Sequence, residues 1–176
     1  FDNGSAFSSG WHHFAVTRSS DVWMLFVDGT KVDTQEWTGD ISDNNLPVFI
    51  GKDSYSGGRY ETNGYIDDFR ILKGYAAYTA DFVPPTTAVG TSVSETENDL
   101  TVLYLPFDGT ETTNSVAASQ TTLYLPFDSD IQDDSAKAHS MTATGDAAIS
   151  SAQSKFGGYS LATDGTGDRL EFTYDT

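Results

Sequence analysis

Residues 64–74 read GYIDDFRILKG, and they decide the fold. Tyr65, Phe69 and Ile71 alternate with Asp68 and Arg70, the spacing of a strand with one buried face. Asp67 interrupts the pattern beside a second carboxylate. Neighbouring strand residues point to opposite faces, so at least one of these two aspartates needs a partner. Either Asp68 is solvated and Asp67 meets Arg70, a tyrosine hydroxyl or a backbone N–H, or Asp67 helps to hold a hard cation.

The segments leading up to this strand read the same way. Trp11 to Arg18 (WHHFAVTR) alternates, and Val22 to Val27 (VWMLFV) is apolar on both faces. A strand of the second kind is central in its sheet or uses one face for contact. Asp28-Gly29 is a hairpin signal, with Lys31-Val32-Asp33 as the return. Leu46 to Ile50 (LPVFI) is a further strand, followed by a long loop carrying Tyr55 and Tyr60. No window has a sustained helical period with caps.

Composition agrees with an all-β chain. Among 176 residues, 38% are hydrophobic and 13% aromatic, with 16 glycines and abundant Ser, Thr, Asp and Asn, a mixture suited to short strands and polar turns. A formal net charge of −17 argues against nucleic acid and anionic membranes as partners. There is no cysteine, which excludes a disulfide framework and a thiolate metal site. No run approaches the roughly 18 apolar residues that membrane insertion requires. The opening FDNGSAFSSG is neither an initiator nor a signal peptide, so the chain reads as a piece of something longer.

Residues 88–120 read as an acidic, Ser/Thr-rich linker with an extra strand. TVLYLPFDGT at 101–110 recurs as TTLYLPFDSD at 121–130, placing Leu103, Leu105 and Phe107 in correspondence with Leu123, Leu125 and Phe127. Twenty residues is too short a period for a duplicated sandwich. Proline in each copy marks an edge position or a strand end.

Taken together, WHHFAVTR, MLFVDGTKV, PVFIG and GYIDDFRILKGYAAYTADFVPP resemble the closing half of a laminin G-like, concanavalin A-like jelly roll. Their wording is most similar to copies in bacteriophage tail-fibre and virion surface proteins. LYLPFD, SKFGGYSL at 154–161 and DGTGDRLEF at 164–172 resemble the opening half of the same family. The expectation is an antiparallel β-sandwich present as two halves: residues 1–87 as the rear of one domain, and 121–176 as the front of a second. Neither half alone closes a two-sheet core. The preferred expectation is that flanking sequence completes both, with strand exchange between subunits next. A closure within the chain, in the manner of a circular permutant, is the remaining arrangement.

The resemblance implies a binding role, often with structural calcium drawn here from Asp128, Asp164, Asp168 and Asp67. Asp164-Gly-Thr-Gly-Asp168 offers oxygen ligands on a flexible loop, or is an ordinary hairpin turn. Trp23, Trp37, Tyr55 and Tyr60 offer flat rings on which sugars stack, or they pack in the core and loops. His12 and His13 face opposite ways in a strand and make a poor metal pair. No nucleophile elbow, phosphate loop or His-Glu-x-x-His is present, and YIDDFR lacks the paired acids of glucanases. The reading is a non-catalytic structural and adhesion module at a virion surface (tail fibre, spike or capsid fibre). It would bind host glycans and assemble as a homo-oligomer with other virion subunits. The alternative is a secreted bacterial adhesin or glycan-binding module at a cell surface, and a polysaccharide depolymerase comes third.

Overall fold

The computed structural model describes residues 8–39, 47–53, 61–74, 76–90 and 121–173. Tyr55, Tyr60 and the first LYLPF copy lie outside them. The described residues are all β and antiparallel, with no helix, as expected for a sandwich of the concanavalin A-like kind. They fall into two compact units.

The first unit draws on Phe1–Ile41 and Leu72–Thr86. Its sheet is β1 (Phe14–Ser19), β2 (Val22–Val27) and β3 (Thr30–Glu36), in that order. The doubly apolar β2 is indeed central. Asp28 and Gly29 turn the chain at φ 49° and 78°, the left-handed pair that a two-residue hairpin between right-twisted strands needs. Met24 and Phe26 are buried on one face of β2. There Phe26 meets Tyr78 and Phe82, whose rings stack at 3.5 Å from the tail beyond the organising strand. The two histidines part as strand geometry requires: His13 packs edge-on to Phe82, and His12 Nδ1 sits 2.7 Å from Asp28 Oδ2.

The second unit draws on Ser42–Ile71, Thr87–Thr91 and Thr121–Thr176. Its strands come from both sides of the linker. From the upstream side come β4 (Val48–Ile50), β5 (Asn63–Ile66) and β6 (Phe69–Leu72). From the downstream side come β7 (Thr121–Leu125), β8 (Thr142–Thr144), β9 (Ala148–Ser150), β10 (Ser160–Asp164) and β11 (Arg169–Phe172). The sheet orders are β5-β10-β9, β4-β11-β8 and β6-β7, so each sheet mixes the two sources. Leu161 pairs with Ile66, and Leu170 with Ile50. The expected boundaries at 87 and 121 therefore do not delimit this unit. Its described strands pair within the chain, where completion by flanking sequence had been the preferred expectation.

Burial explains why. Leu123, Leu125, Phe127, Leu161 and Leu170 are fully buried in one cluster with Ile50 and Phe172, and Ile66, Phe69 and Ile71 pack against it. Each source supplies an apolar face that the other covers, which is the requirement for a two-layer core. All five residues of β7 are buried, and Pro126 follows where the strand ends.

The organising stretch departs from simple alternation. Asp68 adopts φ 52° and separates β5 from β6. That single left-handed residue resets the facing, so Ile66, Phe69 and Ile71 turn to the core while Tyr65 stays 39% exposed. Asp68 is not solvated. Its Oδ2 accepts the Val89 N–H at 3.0 Å, and burial pushes its carboxyl above the usual range against that bond and one from the Tyr124 hydroxyl.

Candidate functional site

Asp168 organises one end of the second unit. Its side chain is buried, at 1% exposure. Oδ1 accepts the Asp146 N–H at 2.5 Å and Oδ2 accepts the Asp164 N–H at 2.7 Å. The amide of Asp164, against the cost of burial and with help from those of Asp146 and Ala147, holds this carboxyl below the ordinary aspartate range. One carboxylate thus ties the turn before β9 to the turn between β10 and β11. Gly145 permits the approach: it sits at φ 72°, and a Cβ there would come within 2.3 Å of Asp168 Oδ1. Asp164 Oδ1 closes its own turn by accepting the Thr166 N–H at 2.7 Å. Glu61 braces the same turn, accepting the Gly167 N–H at 3.0 Å while pairing with Lys52 at 2.7 Å.

Both oxygens of Asp168 accept backbone amides, so in this structure the residue serves as a turn clamp. Asp67 and Asp128 lie elsewhere, both against the turn at 155–157. Asp67 Oδ2 accepts the N–H groups of Lys155 and Phe156 at 2.6 and 2.9 Å. Asp128 Oδ1 fills the space beside Gly157 that a Cβ would occupy. The four aspartates therefore form no common centre, and among the described residues no three His, Asp or Glu side chains gather as a metal site. Asp67 keeps a feature that suits a hard cation, since its Oδ1 is buried without a hydrogen-bond partner, as is Oδ1 of the neighbouring Asp68.

The aromatic candidates divide. Trp23 is half-buried on β2, its ring under the Arg18 guanidinium at 5.6 Å. Trp37 is 63% exposed just beyond β3. Its indole lies over Gly39, and Arg18 Nη2 donates to the carbonyls of Trp37 and Gly39 at 3.4 and 3.0 Å. Arg18 thus joins the Trp23 ring to the backbone at Trp37, fourteen positions further along the chain.

Tyr65 escaped the sequence reading, which had assigned it to the buried face. It stands on the outer face of β5 opposite Ala162 of β10, which in turn pairs with Ala148 of β9. The ring therefore flanks a floor of small side chains. A hollow of about 280 Å³ opens there, walled by Tyr65, Asn63, Asp146 and Asp164. The available signal was the left-handed preference of one residue in an Asp-Asp pair, which resets the alternation.

No curated protein and no solved structure matches the chain. Residues 2–81 match a laminin G family model described as the concanavalin A-like lectin/glucanases superfamily, and over that stretch the chain is similar to the jelly-roll domains it describes.

Proposed function

We propose that the chain is a non-catalytic structural and adhesion module of a phage virion surface protein, binding host surface glycans. The carrying observation is the exposed Trp37 ring, which lies over Gly39 on a backbone held by Arg18. An exposed aromatic face of that kind suits the C–H face of a pyranose ring. The family match supports the same class, since laminin G-like domains are typically binding modules without catalysis. The module works as part of a homo-oligomer with other virion subunits, where repeated weak sites gain avidity. Structural calcium belongs to this reading at Asp67, with Asp128 against the same 155–157 turn.

The test is a panel of bacterial surface polysaccharides probed with the whole chain, in calcium and in chelator. Binding that is weakened by Trp37→Ala is expected. Calcium should raise the melting temperature of the wild type, and Asp67→Asn should remove that rise. A chain that binds no glycan contradicts the adhesion reading, and a melting temperature indifferent to calcium contradicts the metal.

A further inference from the structure

The hollow beside Tyr65 carries more than its shape. Beside the Tyr65 ring its lining is small: Ala162, directly opposite Tyr65 on β10, and Gly64. Its rim is polar because Asn63 pairs with Asp164 across β5 and β10, while Asp146 enters from the turn before β9. The side chains of Asn63, Asp146 and Asp164 are exposed. Asp164 Oδ1 accepts the Thr166 N–H of its own turn, and its carboxylate lines the hollow. The rim is also held in place. Asp168, buried beneath, accepts the backbone amides of both Asp146 and Asp164, which holds the backbone of the two rim positions together.

An exposed ring beside a shallow apolar floor accepts one face of a flat molecule. Carboxylates and an amide at the rim accept pairs of neighbouring hydroxyls, and the amide also donates one. Two uncompensated carboxylates exclude anionic sugars by repulsion. We infer that this hollow is a second glycan site, distinct from the Trp37 platform. Its ligand is a neutral hexose residue, stacked on Tyr65 and hydrogen-bonded through vicinal hydroxyls to Asp146, Asp164 and Asn63. This rests on the glycan-binding reading of the module, and it adds the place and the sugar class.

The test is a titration of the ¹⁵N-labelled whole chain with neutral hexaoses (gluco-, manno- and galacto-configured), followed by amide shifts. At least one hexaose should move the amides of Asn63–Ile66 and Asp164–Asp168. Tyr65→Ala should weaken that response about tenfold, while Tyr65→Trp should keep it, as should Tyr159→Ala, a change at another exposed tyrosine. Shifts confined to residues 18–39 would overturn this second site and leave the glycan-binding reading intact. Binding only of uronic or sialic acid-bearing oligosaccharides at Tyr65 would overturn the assigned sugar class. No response to any glycan, neutral or acidic, would remove the site and the reading together.

Discussion

Replacing Phe127 by alanine should destabilise the second unit by about 3–5 kcal/mol, the range for emptying a fully buried aromatic site. Phe127 is 0% exposed at the centre of the cluster that joins the two sources of strand. It also holds φ 60°, where a bulky residue is rare and persists only when its surroundings fix it. Domains are stable by about 5–15 kcal/mol in all, so this loss removes a large share. All three tryptophans lie within residues 1–41, so their fluorescence follows the first unit. Urea-dependent hydrogen exchange at Leu161 and Leu170 reads the second. Protection there that survives the substitution would show that this core does not hold the unit together.

Asp133→Asn should cost about 3 kcal/mol near neutral pH, from one to three for each buried donor left without its acceptor. The Asp133 carboxylate is 7% exposed. It accepts the N–H groups of Tyr124, Ser135 and His139 at 3.0, 2.9 and 2.8 Å, and the Ser135 hydroxyl at 3.0 Å. An asparagine keeps one acceptor oxygen and turns an NH₂ towards donors. This loop thereby fixes the amide of Tyr124 in the middle of β7. Burial works against ionisation of Asp133, but the hydrogen bonds outweigh it and hold the carboxyl below the usual value of 3.8. A lowered folded pKa contributes stability above the unfolded value, and that stability is lost as pH falls through the folded one. The wild type should therefore lose this contribution only below about pH 4. The difference between wild type and Asp133→Asn should shrink over that same interval. Urea melts from pH 7 down to pH 3 measure it; a difference that stays constant with pH would contradict the ionised clamp.

Much of the architecture was legible because it is local. Alternation gave β1, the Asp28-Gly29 pair gave its hairpin, and LYLPF announced a core segment whose Leu123, Leu125 and Phe127 are all fully buried. The parts that were not legible depend on pairings distant in sequence. Nothing near Ile66 says that Leu161 will be its partner, and nothing in DGTGD distinguishes a calcium loop from a turn clamped by its own last aspartate. The clamp draws on the amides of Asp146 and Ala147, about twenty residues upstream, which the loop's own sequence does not announce. Tyr65 was misplaced for a similar reason. One left-handed residue at Asp68 reverses the facing of everything before it, and alternation alone cannot register that.

The most direct measurement of the central claim uses the absence of native cysteine. Phe49 of β4 and Glu171 of β11 are directly opposed, so a Phe49→Cys/Glu171→Cys variant places two thiols at a separation a disulfide spans. If residues 48–72 and 121–172 close on each other within one chain, mild oxidation at low concentration gives an internal bridge in a monomer. Bridges formed only between chains, or none at all, would show that the two sources of strand do not share one sandwich.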